Sequence, residues 1–206
     1  MADTLTFYTN PQSRGQIVRW MLEEVGVPYE TVLLDFRENM KSPEYLRINP
    51  MGKVPAITHG DAVVTESAAI CAYLADAFPQ AGLAPAPADR ADYYRWMFFA
   101  AGPLEAAFTN KAMGWEAPPE RRMMLGYGTF DLAIAAVENA IKQKAFVAGG
   151  RFSAADVYVG SVLDFMINFK LLEPSTVVTD YLAPLRKRAA YRRAKEIDAA
   201  LVPQSA

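Results

Sequence analysis

Residues 49–67, Asn-Pro-Met-Gly-Lys-Val-Pro-Ala-Ile-Thr-His-Gly-Asp-Ala-Val-Val-Thr-Glu-Ser, constrain the chain more than any other stretch. Val54-Pro55 opens a short apolar run, Gly60-Asp61 reverses it, and Glu66-Ser67 starts an apolar-periodic helix. Proline has no N–H to give to a ladder, so Pro55 belongs at a strand start or an edge. If the Val54–Pro55 bond is cis, the backbone groups of Val54 point outward and can pair with another peptide. The N-terminus of the following helix offers free N–H groups to a carboxylate. Together these features describe a site for a small, extended, acidic peptide.

The rest of the first half fits around that stretch. Residues 5–8 read as a strand, 14–25 as a helix closed by Gly26, and 29–34 as a second, β-rich strand. A strand, helix and strand in that order make a βαβ unit with a parallel pair. Residues 35–52 are irregular, with one short helical piece near 43–48. Residues 56–59 and 62–65 form a hairpin, and a helix over 66–78 is stopped by Pro79. A βαβ unit followed by ββα is a thioredoxin-like arrangement.

Residues 79–88 hold three prolines, one glycine and no charge, which marks a linker. Beyond it helical periodicity takes over. A long helix over 89–111 should kink at Gly102-Pro103, because proline breaks the ladder. A second helix is expected over 119–144, a third over 153–169, and shorter pieces reach 197. The expected fold class is therefore α/β plus all-α: a thioredoxin-like domain over 1–80, a linker over 81–91 and an all-helical domain over 92–206. Ser153 stands three residues ahead of Asp156, as in a capping box with Asp for the usual Glu, and Phe152 before it can staple to Val157. Loss of Asp156 should harm folding before it touches catalysis.

Composition narrows the function classes. With 52% hydrophobic residues and 21% charged, the chain can bury a sizeable core. A net charge of −2 gives no case for nucleic acid or an anionic membrane. The basic cluster Arg186, Lys187, Arg188, Arg192, Arg193 and Lys195 alternates with Ala, Tyr and Ile at helical spacing, which reads as a solvated helix face. One cysteine forms no internal disulfide and suits a reducing compartment. The N-terminus lacks a charged n-region with a long apolar stretch, and no run of about 18 apolar residues exists. The expectation is a soluble, cytoplasmic protein with no metal, no nucleic acid and no membrane partner.

The motif Asn-Pro-x-Gly-Lys-Val-Pro-x-Ile over 49–57, followed by Glu-Ser-x-Ala-Ile-x-x-Tyr-Leu over 66–74, resembles the glutathione S-transferase superfamily. Phe7-Tyr8-Thr-Asn-Pro-Gln-Ser13-Arg-Gly, and later Gly26-Val-Pro-Tyr-Glu30, agree with it. The resemblance is specific over residues 5–78 and looser beyond. It implies glutathione as co-substrate, presented as a thiolate to a hydrophobic electrophile, and a homodimer in which Phe36 or Met51 is a candidate apolar key. Relatives on this fold also reduce peroxides, isomerise or dehalogenate, and others are non-catalytic binding modules. The presence of Val54, Pro55, Glu66 and Ser67 speaks against a module that has lost its ligand.

A free thiol with a pKa of about 8.5 is only a few per cent ionised at neutral pH. Lowering that pKa by about two units takes roughly 2.7 kcal/mol of differential stabilisation. A hydroxyl at a helix N-terminus can supply it. Ser13 stands at the expected start of the first helix, where serine is also a favoured N-cap in its own right. The resemblance makes it the serine-type donor. Tyr8, at the end of the first strand, is the rival that other members use, and Asn10 and Arg14 are outside candidates. The loop over 9–13 has no cysteine, so the resemblance is to the serine type and not the thiol-transferring type. Cys71 lies mid-helix on an apolar face and reads as core.

By the same resemblance, Val54 should pair its backbone with the cysteinyl unit of glutathione, and Pro55 fixes that segment. Ser67 should bind the γ-glutamyl carboxylate and Glu66 its amino group. Lys53, and less directly Lys41, should meet the glycyl carboxylate. Phe108, Thr109, Met113 and Trp115 are the expected electrophile pocket, between the domains. His59 reads as a residue of the hairpin, which leaves no histidine for general-base work.

Overall fold

Alternating burial along Leu5–Thr9 turns Leu5, Phe7 and Thr9 inward, and this strand, β1, is flanked on both sides in a four-stranded mixed sheet. β2 (Glu30–Leu33) pairs parallel to it, β3 (Ala56–His59) antiparallel, and β4 (Ala62–Thr65) pairs antiparallel with β3, giving the order β2-β1-β3-β4. Between β1 and β2 lies α1 (Gly15–Val25), closed by Gly26 at φ 73°, where only glycine is at ease. A 3₁₀ turn (Asn39–Lys41) and the short α2 (Pro43–Leu46) follow β2, and α3 (Ser67–Ala77) follows β4. The chain continues as α4 (Ala91–Phe99), α5 (Glu105–Ala112), α6 (Phe130–Ile141), α7 (Ala154–Asn168), α8 (Thr176–Arg186) and α9 (Ala189–Leu201).

The computed structural model describes residues 4–202. They fall into two units: residues up to Leu83 together with those from Lys187 onward, and Ala84–Arg186. α9 thus belongs with the sheet, although sequence reasoning put residues 92–206 together. Its reason is a set of side-chain pairs to α1. Arg188 binds Glu24 (2.6 Å), Arg193 binds Glu23 (3.0 Å), Lys195 donates to Gln16 (2.8 Å), and Trp20 meets the Tyr191 ring edge-on at 4.9 Å. Deeper still, Arg19 pairs with Asp198 at 3.2 Å, both nearly inaccessible. Of the basic cluster read as a solvated face, Arg188, Arg193 and Lys195 thus dock on α1, while Arg186 on α8 pairs with Asp164 and Lys187 and Arg192 are exposed.

In the helical unit, the expected interruption falls at Pro103. It sits in a π-helical turn, Ala100–Leu104, whose wider ladder absorbs the missing N–H, and the Glu105 N–H reaches back five residues to Ala100. The helix expected over 119–144 is shorter. Pro119–Met124 is a 3₁₀ turn, Gly128 takes φ 67°, and Thr129 caps α6 by accepting from the Leu132 N–H at 3.2 Å. α7 starts with a capping box of Ser153 and Asp156. Asp156 also accepts from the Val147 N–H (2.7 Å) and the Tyr181 hydroxyl (2.9 Å). Burial pushes its carboxyl above the usual range against the hydrogen bonds that hold it down. Phe152 packs edge-on to Phe146. No helix among the described residues is long and apolar enough to cross a membrane.

Two changes test this frame. Asp156→Ala leaves the Val147 N–H, Ser153 N–H and Tyr181 hydroxyl unpaired in the interior. It should lower the unfolding free energy by about 3 kcal/mol or more in urea titrations. At the β1–α1 junction, a Cβ on Gly15 would stand 1.9 Å from Thr9 Oγ1 and 3.0 Å from Ser13 Oγ. Gly15→Ala should cost about 1–3 kcal/mol in the same titration, and an unchanged midpoint would refute this close approach.

Candidate active site

Sheet register gathers three distant segments at one end. Tyr8 stands opposite Ala56, and Ala56 opposite Thr65. The loop after β1, the Val54–Pro55 pair before β3 and the Glu66–Ser67 pair after β4 therefore emerge side by side. Each depends on a strand terminus for its place.

The loop over 9–15 is held by its own side chains. Asn10 anchors it: Nδ2 donates to the Leu34 carbonyl (2.9 Å) and Oδ1 accepts from the Gln12 N–H (2.9 Å). Helix α1 begins at Gly15, so Ser13 lies two residues ahead of it, and Arg14 holds the cap position without a side-chain cap. The sequence reading placed Ser13 at that cap. Extra turn bonds explain the shift, since the Ser13 N–H already donates to Asn10 O (3.1 Å). Ser13 still serves the helix start, because its Oγ accepts from the Gly15 N–H at 2.9 Å. Its own proton goes to Asn10 O at 2.6 Å. Arg14 is exposed.

Tyr8 is half-buried and packs against the cluster of Leu34, Met40, Tyr45 and Ala56, with its ring 5.8 Å from that of Tyr45. Its hydroxyl has no hydrogen bond among the described residues.

The second segment is braced from behind. The Lys53 carbonyl accepts from the Tyr45 hydroxyl (2.5 Å) and from Asn49 Nδ2 (2.8 Å). Asn49 is buried, and its Oδ1 accepts from the Met51 N–H at 3.0 Å. Burial pushes the Tyr45 phenol up to about 12, keeping it a donor. The Val54–Pro55 bond is cis. Val54 is half-buried against the same cluster as Tyr8, and no hydrogen bond among the described residues engages its N–H or carbonyl. The Lys53 side chain is exposed. Lys41 is engaged elsewhere, donating from Nζ to the Met51 carbonyl at 2.9 Å.

In the third segment, Ser67 opens α3 and is 8% exposed, while Glu66 is exposed with φ 66° and ψ 118°. A non-glycine residue in that conformation is uncommon and clusters at binding sites. The carbonyl of Glu66 accepts from the Ile70 N–H at 2.9 Å, so the helix is intact while its first N–H groups have no partner within it. This turn of backbone was not legible in the sequence. Cys71, one turn further, is fully buried and burial pushes its thiol well up, which removes it from thiol chemistry. His59 is in β3 at the opposite end of the sheet, where its Nδ1 is hydrogen-bonded to the Tyr73 hydroxyl at 3.0 Å.

The four residues expected to meet an electrophile do not form one wall within the helical unit. Phe108 is 7% exposed and packs against Phe169, with ring centroids 6.2 Å apart. Thr109 donates to Glu105 at 3.3 Å. Met113 and Trp115 are each more than half exposed. Trp115 alone of the four lines a cleft of about 350 Å³, with Asn110, Lys111, Arg122 and Tyr127. No group of three or more His, Cys, Asp or Glu among the described residues is disposed to hold a metal ion.

Comparison with known proteins accords with this arrangement. Residues 3–76 match the family model described as glutathione S-transferase, N-terminal domain. Glutathione S-transferase GstA of Escherichia coli O157:H7 is 30% identical over 156 residues, covering 73% of this chain and 76% of that protein. Three others, from Schizosaccharomyces pombe, a Sphingobium and Xanthomonas campestris, are matched over only 64%, 31% and 52% of their own length. A glutathione transferase of Phanerochaete chrysosporium, crystallised with oxidized glutathione, superposes with a TM-score of 0.80 at 25% identity, covering 97% of this chain and 98% of that one. A homologue from Sulfitobacter with bound glutathione gives 0.75 at 28% identity, over 97% and 99%. With a relative at 30% identity over three-quarters of its length, and the fold matched end to end, the chain belongs to the glutathione S-transferase family.

Proposed function

We propose that the protein activates the thiol of glutathione as a thiolate and conjugates it to a hydrophobic electrophile. The observation that carries this reading is the convergence of the Ser13 loop, the unpaired Val54 peptide and the α3 N-terminus at one sheet end. An extended tripeptide with a carboxylate at each end suits those three features. The Val54 N–H and carbonyl pair with the cysteinyl unit as one more strand would. The free N–H groups at the start of α3, with the Ser67 hydroxyl, receive the γ-glutamyl carboxylate. Glu66, turned outward by its positive φ, faces the ammonium beside it. Lys53 is the exposed cation for the glycyl carboxylate, and Lys41, bound to Met51, steadies that segment.

Ser13 is the hydroxyl we assign to the sulfur. Its proton lies on the Asn10 carbonyl, so it must turn to meet a thiolate. That turn is favourable for two reasons. A hydrogen bond to an ionised acceptor is roughly twice as strong as a neutral one. The Asn10 carbonyl it leaves keeps the Ser13 N–H, so no orphan acceptor results. The Gly15 N–H holds the oxygen in place while its proton swings. Tyr8 packs beside the site as a wall. In the helical unit, Trp115 and its cleft are the candidate contact for an aromatic electrophile, with Phe108 behind as support. Phe36 and Met51, 49% and 68% exposed, are the apolar candidates for a homodimer contact.

The ultraviolet thiolate absorbance of protein-bound glutathione, titrated with pH, checks the assignment. Ser13→Ala should raise the bound-thiol pKa by about two units, a roughly 25-fold loss of thiolate at neutral pH. Tyr8→Phe should leave it within a few tenths of a unit. The reverse pattern moves the role to Tyr8, and no binding of glutathione by the wild type overturns the activity. Ser67→Ala should instead weaken glutathione binding by about 1–2 kcal/mol with the thiol pKa unchanged, as read by calorimetric titration.

A further inference from the structure

A tether of the Ser13 loop comes from neither strand nor turn. Gln16, in the first turn of α1, donates from Nε2 to the Pro11 carbonyl at 2.6 Å, and its Oε1 accepts from Lys195 Nζ at 2.8 Å. An ammonium only donates and a carbonyl only accepts, so the amide can bridge them in one orientation alone. Pro11 is buried and has no N–H, which leaves its carbonyl as its sole backbone handle. Lys195 is half-buried and placed by α9, which Asp198, Arg193 and Arg188 fasten to α1. A chain of two hydrogen bonds thus runs from a helix near the end of the sequence to the middle of the loop that carries Ser13.

We propose that Lys195, acting through Gln16, is a positioning residue that sets the thiolate pKa of bound glutathione. The inference rests on the reading that this loop addresses the sulfur. Lys195 polarises the Gln16 amide, and the strengthened N–H holds the Pro11 carbonyl. With Pro11 fixed, the Asn10–Ser13 turn cannot drift, and the Ser13 oxygen keeps its aim. Loosening the tether spreads the hydroxyl over several positions and lowers its mean contribution at the sulfur. A displacement of about 1 Å is enough to matter on this scale.

The test is a set of variants in the full chain: Lys195→Met, Gln16→Met, their double mutant, Lys195→Arg and Ser13→Ala. Each is checked for folding by urea titration, then read by the pH dependence of thiolate absorbance and of kcat. Lys195→Met and Gln16→Met should each raise the bound-thiol pKa by about one unit, a roughly threefold loss of thiolate at neutral pH. That loss should be regained by raising the pH, with KM for glutathione within about twofold. The double mutant should equal either single one, because the two act in series. Lys195→Arg, which keeps the donor, should restore the wild-type profile. Wild-type thiol pKa in both single variants, alongside a shift in Ser13→Ala, overturns the relay and leaves the hydroxyl assignment intact. Additive effects overturn action through Gln16 and make Lys195 a direct electrostatic contributor. Shifts in the relay variants with none in Ser13→Ala support the tether while moving the sulfur contact to another group of the loop. A folded Lys195→Met protein that loses glutathione binding outright also overturns the proposal, because positioning alone does not abolish affinity.

Discussion

The guanidinium of Arg19 lies 1% exposed in the sheet-bearing unit, and several elements converge on it. Its Nε faces Asp198 of α9, and Nη1 donates to the Tyr29 and Thr31 hydroxyls, each at 2.9 Å. Its carbon lies 4.9 Å from the centre of the Phe7 ring on β1. An unpaired cation at this depth would cost several kcal/mol, so helix α1, strand β2 and helix α9 can take up their positions only together. Arginine suits the task, since its planar fork serves several acceptors at once and it does not shed its proton. Burial together with the Glu23 hydrogen bond raises the Tyr29 phenol to about 12, so that it stays a neutral partner in the cluster. The ordered start of α1, and with it the loop that carries Ser13, inherits its rigidity from this cluster.

Sequence reasoning reached the sheet and its helices because the signals there are local. Pro55, the Gly60-Asp61 turn, Gly26 and the alternation in β1 each dictate backbone geometry within a few residues. Arg19 is the opposite case. It sits on α1 among Val18, Trp20 and Met21 and reads as an ordinary cation on an amphipathic helix, since its partner is 179 residues away. The same distance hid the role of the basic cluster. Helical spacing in 186–195 reads as one helix, but the helix breaks at 187–188 between α8 and α9. Whether the charged face of α9 meets water or the carboxylates of Glu23 and Glu24 is decided by the fold. The segment 119–144 failed for a different reason. Its apolar residues recur at helical spacing, yet Gly126 and Gly128 sit between the 3₁₀ turn and α6, and a period count does not weigh them.

At the site, the residues that sequence assembled from three separate segments do emerge at one end of the sheet, because strand register alone is enough to bring them there. What the sequence could not convey is the arrangement of protons and backbone around them. The Ser13 hydroxyl points its proton inward, Lys41 is spent on a carbonyl, and Glu66 takes a backbone conformation that its residue type disfavours. The helical contribution was least legible. Phe108, Thr109, Met113 and Trp115 fall within eight positions, but a helix followed by a turn sends them in different directions, one into the core and two into the open.

Membership of α9 in the first unit has a consequence for how the chain comes into being. The sheet and its first helices are synthesised well before the counter-ion of Arg19, which stands 179 residues further along the chain. The intervening unit, Ala84–Arg186, is complete beforehand and free to fold on its own schedule as domains generally do during synthesis. The nascent sheet-bearing half must therefore wait, with Arg19 still hydrated and α1 uncovered, until α9 arrives. Premature stops or proteolytic nicks near 187 would strand that half in an open state, though every residue proposed to touch glutathione had already been made.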